Sequence, residues 1–207
     1  MIHGYHAIFG TYGFWLPNDP RGSWSDFVGK YELLKFGKAS KSISRLAELT
    51  SEEKRQAELA KAELMFPPVV LSDEQMECVA RGIWEYLKRT PIGLWACAIL
   101  PDHVHLVFAR HRMKSEQIVR MLKGSATKQL KKDLLHPLAQ YRERDGSMPS
   151  PWSVGKWIQY LDSEQAIEDA IRYVEANPTK EGRPAQHWPF VIPFAGLNLG
   201  AGWLNYQ

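Results

Sequence analysis

Polar and apolar residues alternate over residues 3 to 12 as in a first strand, and a loop rich in proline, glycine and tryptophan follows through Pro17, Pro20, Gly22 and Trp24. From about Lys41 to Met65 the chain is charged and helix-prone, with Glu52, Glu53, Lys54, Arg55 and Glu58 in a dense surface pattern that Pro67 and Pro68 break. Ser72 with Gln75 opens another helix, whose core side is marked by Val79, Ile83, Tyr86 and Leu87 up to Thr90 and Pro91. Leu94 to Leu100 reads as a buried strand, and the short turn Pro101-Asp102 leads into residues 103 to 109 as its hairpin partner.

A third helix follows, with Ser115 as its N-cap and Ile118, Val119, Leu122, Ala126 and Leu130 as its apolar stripe. Residues 136 to 151 lack periodicity, and Val154 to Leu161 predicts a short strand. The last helix opens at Asp162 or Ser163, with Gln165 in a capping-box position. Ile167, Ala170, Ile171 and Val174 form its buried stripe, and Pro178 should stop it, having no N–H to give and disfavouring a helical residue before it. Phe190 to Pro193 could add an edge strand. The order strand, helix, hairpin, helix, strand, helix predicts an α+β domain with helices against an antiparallel sheet.

Candidate chemistry lies on two of these elements. His103 and His105 stand two apart on a strand, so both imidazoles project from one face and could grip one divalent ion, while Val104, Leu106 and Phe108 mostly pack the other. Alone, that spacing fits a half-exposed strand face equally well. Tyr173 and Asn177, four apart on the last turn of the final helix, lie one above the other. Each has an ordinary reading of its own, a tyrosine with a buried ring and a wet hydroxyl, and an asparagine at a helix end before proline. Together with the histidines they suggest a nucleophile, two nitrogen ligands and an amide oxygen.

The stretches Ile99-Leu-Pro-Asp-His-Val-His-Leu-Val-Phe108 and Ala170-Ile-Arg-Tyr-Val-Glu-Ala-Asn-Pro178, with Gly182 and Trp188, resemble the HUH single-tyrosine transposases, particularly the REP-associated tyrosine transposases and the IS200-like family. The run from Tyr5 to Trp24 is similar to a subgroup of them. The resemblance implies a ferredoxin-like or RRM-like antiparallel palm. The chain length predicts a single domain over 1–207, which departs from the family pattern by a helical insertion at about 41–66 and a loop insertion at about 136–152. The implied activity is metal-dependent cleavage and rejoining of single-stranded DNA through a 5′-phosphotyrosine intermediate, with hairpin, REP-like DNA as the substrate. Tyr173 would be the nucleophile, and His103, His105 and Asn177 would hold Mg²⁺ or Mn²⁺. No residue identifies the general base, since Glu175 sits about 200° round the helix from Tyr173. Asp102 is either a turn residue or an orienting partner of the histidines, and His3, His6, His111, His136 and His187 have no comparable pairing.

Charge adds a possible surface. The formal net charge of +3 is too small to identify a partner. Its distribution says more, because Arg110, Arg112, Lys114, Arg120, Lys123, Lys128, Lys131 and Lys132 face only Glu116 between residues 110 and 132. That segment reads as a solvated basic face or as a surface that tracks a DNA backbone. Trp15 and Trp24, with Arg21, are candidates for stacking on unpaired bases or for packing the N-terminal loop, whereas Trp84 and Trp95 fall in core-facing stretches. Cys78 and Cys97 are too few for a zinc cluster or disulfide framework and read as small buried thiols.

No run of about 18 apolar residues and no signal-peptide pattern occurs, which predicts a soluble cytoplasmic, nucleoid-associated protein without a membrane partner. A histidine-triad hydrolase would need a third histidine where Val107 stands, and a His-x-His amidohydrolase needs a barrel of about 250 residues. The remaining alternatives are a noncatalytic DNA-binding module on the same fold and an HUH replication initiator or relaxase. Oligomeric state is open between monomer and homodimer.

Overall fold

The computed structural model of the chain describes residues 1–14 and 50–197. The expectations for Trp15, Arg21, Trp24 and residues 41–49 lie outside that range. Strand β1 (Gly4–Gly10) is followed by helix α1 (Ser51–Ala62), helix α2 (Asp73–Leu87), strands β2 (Leu94–Ile99) and β3 (His103–Ala109), helix α3 (Ser115–Lys132), strand β4 (Trp157–Leu161) and helix α4 (Glu164–Lys180). The sheet is antiparallel throughout, in the order β2-β3-β1-β4. With α2 between β1 and β2 and α3 between β3 and β4, this is a ferredoxin-like α+β palm to which α4 is added.

Strand alternation divides the molecule into two layers of unequal size. Tyr5, Ala7 and Phe9 of β1 and Val104, Leu106 and Phe108 of β3 point to one face, where they pack with Val79 and Ile83 of α2 and Ile118, Leu122 and Ala126 of α3. Burying each large apolar side chain there contributes about 1.5–3 kcal/mol. The other face carries Ala96, Ala98, Val107 and Leu161, covered by Ile167, Ala170 and Val174 of α4. Helices α2 and α3 approach very closely at Gly82, where an added Cβ would stand 2.6 Å from the Ala126 Cα. Ser125 Oγ donates to the Gly82 carbonyl there at 2.7 Å.

Most elements form where hydrophobic periodicity places them, and the differences have local causes. Ser72 and Gln75 form a reciprocal capping box on α2. On α4 the N-cap is Ser163, whose hydroxyl accepts from the Ala166 amide, so no capping box forms at Gln165, which binds Asp169 instead. Ser115 is already helical in α3, and Lys114 occupies the N-cap without a side-chain bond. Strand β4 begins only at Trp157, leaving Val154 fully exposed. Residues 190 to 193 add no strand, although Ile192 N–H donates to the Leu94 carbonyl on the β2 edge. Further along that edge, the Gln186 amide takes both backbone groups of Ile99.

Pro178 does not end α4. The helix runs on to Lys180 and closes in a Schellman turn, with Arg183 N–H bonded to the Pro178 carbonyl, Gly182 N–H to the Thr179 carbonyl and Gly182 at φ +70°. A proline this near the C-terminus forfeits one bond, to the Val174 carbonyl, and the glycine cap then satisfies the final carbonyls. Trp84 is 41% exposed rather than buried, and no described helix is long and apolar enough to cross a membrane.

Candidate active site

His103 and His105 open β3 on the face that α4 covers, opposite the layer of α2 and α3. Both are buried, and their rings meet edge to face with centroids 4.8 Å apart. The turn before them is pinned from two directions. Thr11 N–H donates to the Asp102 carbonyl at 2.8 Å and Leu71 N–H to the Pro101 carbonyl at 2.8 Å. This turn sets the Asp102 carboxylate 2.6 Å from His103 Nδ1. Asp102 is therefore both a turn residue and the partner that fixes the His103 ring.

A third imidazole completes the cluster. His6, on β1, is buried, and its Nε2 lies 3.1 Å from His105 Nδ1. Nothing near it in the sequence pairs it with the other histidines; strand register brings it in, since Ile8 sits opposite His105 and His6 lies one pleat further along the same face. Burial holds the His6 pKa down at about 4, opposed by the Gln159 amide oxygen on neighbouring β4, which accepts from the ring and favours its protonated form. His105 is also held well below the ordinary range, by burial first and then by His103 and His6. Both rings are neutral at physiological pH, the form that coordinates a metal.

Tyr173 projects from α4 onto these rings. Its centroid is 5.7 Å from that of His105 and 5.8 Å from that of His6, while the side chain remains 47% exposed. A half-open tyrosine against a buried imidazole pair is accessible to a strand of substrate. Asn177, one turn on, is buried, and its amide nitrogen donates to the Tyr173 carbonyl at 3.0 Å, turning the amide oxygen the other way. Lys180, two turns on, places its ammonium 4.8 Å from the Tyr173 ring centroid. It escapes the sequence reading because a helix stopped at Pro178 would never reach it. Glu175 lines a groove with Trp95 and Phe194, away from the cluster.

Among the described residues, no three His, Cys, Asp or Glu side chains converge as a metal cluster. Imidazole nitrogens from His103 and His105 and the amide oxygen of Asn177 are donors of a kind that suits a divalent ion keeping other positions for water or phosphate oxygens.

The basic helix is not beside this cluster. It lies across the sheet, and Arg110 and Arg112 follow the far end of β3, roughly 20 Å from His103 along the strand. Lys128 is exposed on α3. Lys114, Arg120 and Lys123 line a groove of about 450 Å³ with Lys156 of the loop before β4. Lys123 itself is engaged, donating to the carbonyls of Ser153 at 2.8 Å and Gly155 at 3.2 Å, and burial, then Lys156, lowers its pKa to about 8.

Two solved chains share a broad likeness. One is a REP-associated tyrosine transposase bound to a REP hairpin, 11% identical, with a TM-score of 0.47 over 87% of this chain and 68% of that one. The other is a candidate transposase from Deinococcus radiodurans R1, 12% identical, with a TM-score of 0.41 over 90% of this chain and 94% of that one. No curated protein shows significant sequence similarity. The profile of the IS200-like transposases matches residues 68–177, a span that holds the pinned turn, both histidines, Tyr173 and Asn177 and exceeds half the chain. The chain belongs to the IS200-like transposase family.

Proposed function

We propose that the protein cleaves and rejoins single-stranded DNA by tyrosine transesterification, with a divalent metal and with hairpin DNA as substrate. The observation that carries this is the placement of Tyr173 against His105 and His6 within one chain, on the open side of a buried imidazole pair. His103, His105 and Asn177 would hold Mg²⁺ or Mn²⁺, which when bound polarises the scissile phosphate and offsets charge developing on it.

The chain's own residues do the rest. The Tyr173 hydroxyl gives up its proton to solvent and its oxygen attacks phosphorus, a P–O bond to tyrosine forms, the P–O3′ bond breaks, and the released 3′-oxygen takes up a proton from solvent. One phosphoester replaces another, so a 3′-hydroxyl can reverse the step without another energy source. Asp102 fixes the His103 ring, and Lys180 stands where its charge can meet a phosphate approaching Tyr173. Arg120 and Lys156, on their groove across the sheet, would hold DNA backbone outside the reaction centre.

The test is incubation of wild-type and Tyr173→Phe protein with labelled single-stranded DNA from the flanks of its own gene, with Mg²⁺ or Mn²⁺ and with chelator. A metal-dependent covalent adduct lost in Tyr173→Phe supports the proposal. An adduct that survives the substitution would show that another residue is the nucleophile, and DNA binding without any adduct in wild type would favour a noncatalytic module.

A further inference from the structure

We infer that His6 is a positioning residue for the metal-ligating nitrogen of His105, acting as a hydrogen-bond acceptor that selects the His105 tautomer; the inference rests on the metal reading above. Two neutral imidazoles that meet through ring nitrogens, as His6 Nε2 and His105 Nδ1 do at 3.1 Å, share one proton between those two atoms. If His6 donates, His105 Nδ1 is the acceptor and its proton resides on Nε2, which leaves neither nitrogen with a lone pair for a cation. If His105 donates, its Nε2 lone pair is available to the metal. Coordination and the observed contact coexist in the second arrangement only.

That arrangement fixes the rest of the chain of bonds. His6 then accepts at Nε2 and carries its proton on Nδ1, and Gln159, opposite His6 across β1 and β4, supplies an oxygen that can accept it. His103 is set the same way by a different partner, since the Asp102 carboxylate takes the proton on its Nδ1. The two ligands are thus oriented unequally, one by a charged carboxylate on its own turn and the other by a neutral imidazole from another strand. Such partners commonly govern metal affinity by 10–100-fold. A residue that merely filled space between β1 and α4 could be replaced by a ring of similar size without affecting the ion.

The measurement is Mn²⁺ binding to the full chain, read from free Mn²⁺ by electron paramagnetic resonance, for wild type, His6→Phe, His6→Gln and the exposed Gln159→Leu. It is paired with imidazole ¹⁵N shifts of the metal-free wild type. We expect His6→Phe to bind about 10–100-fold more weakly, His6→Gln to recover part of the loss through its amide oxygen, and Gln159→Leu to weaken binding several-fold. The shifts should place the His105 proton on Nδ1. Equal Mn²⁺ affinity in wild type and His6→Phe, or a His105 proton on Nε2, overturns the inference alone. Wild type that binds no Mn²⁺ overturns the metal reading beneath it. The nitrogen shifts need no variant, so a misfolded substitution does not decide the matter.

Discussion

Lys180 holds its ammonium 4.8 Å from the centre of the Tyr173 ring, two helical turns away on α4. Cation and ring attract by about 0.5–1 kcal/mol at an exposed site, and on the proposed mechanism the same ammonium would meet a phosphate approaching the tyrosine. We expect Lys180→Met to slow adduct formation about 5-fold while leaving Mn²⁺ affinity unchanged. Single-turnover cleavage beside a metal titration separates the two, and a matched fall in both would place Lys180 in the ion's surroundings instead.

Asp102 offers a sharper loss. Its carboxylate fixes the His103 ring from a turn that backbone hydrogen bonds already hold, so removing the side chain leaves the turn in place. Asp102→Ala should weaken metal binding by about 10-fold or more, with melting temperature little altered. Calorimetric titration with Mn²⁺ checks the first part and a thermal melt the second.

Acid should unfold the site before it unfolds the core. His6 and His105 have pKa values below that of a free histidine, so the unfolded chain binds more protons than the folded one and stability falls as pH drops. For His6 the loss begins near its unfolded pKa of about 6.5 and is complete near its folded value of about 4, amounting to a few kcal/mol. Urea titrations at pH 7 and pH 4.5 should show this fall, and His6→Phe should flatten it.

Gly82 tests the packing of the two large helices. A methyl group there would meet Ala126 backbone at 2.6 Å, with no flexible side chain to yield. Gly82→Ala should cost about 1–3 kcal/mol in chemical denaturation, even though alanine is the better helix former. An increase in stability would mean that α2 and α3 separate readily.

The cations of the groove should divide by role. Arg120 is exposed, whereas Lys123 anchors the loop before β4 through two carbonyls. Arg120→Ala should weaken DNA binding and reduce its salt dependence by about one ion. Lys123→Ala should instead lower the melting temperature, and a loss of DNA affinity without a thermal shift would reverse that assignment.

What could be read from sequence follows the range of the forces involved. The α3 stripe of Ile118, Val119, Leu122, Ala126 and Leu130 is buried throughout, because helical periodicity is local. The Ser72–Gln75 capping box is equally local. A stripe tells that one side of a helix is covered but not which face of the sheet covers it, so the sequence could not say that the basic helix lies across the sheet from the histidines. His6 depends on the register of two strands whose contact spans 99 residues, which no short pattern encodes. Lys180 was hidden by applying the helix-breaking rule for proline to a terminal turn, where a glycine cap makes the break small.

The two sides of the sheet differ in what anchors them. The side holding α2 and α3 is filled by large residues such as Phe9, Phe108, Leu122 and Ile83, whereas on the other side Ile167, Ala170 and Val174 of α4 meet Ala96, Ala98, Val107 and Leu161 of the sheet in a smaller cluster. A smaller buried cluster gives up less free energy when separated, so freeing α4 should cost less than global unfolding. Tyr173, the proposed nucleophile, thus rides on a helix held by the smaller of the two cores, while the histidines remain on a strand locked into the larger one. On the proposed chemistry, a DNA end joined to Tyr173 could therefore be carried from one position to another while His103 and His105 stay still.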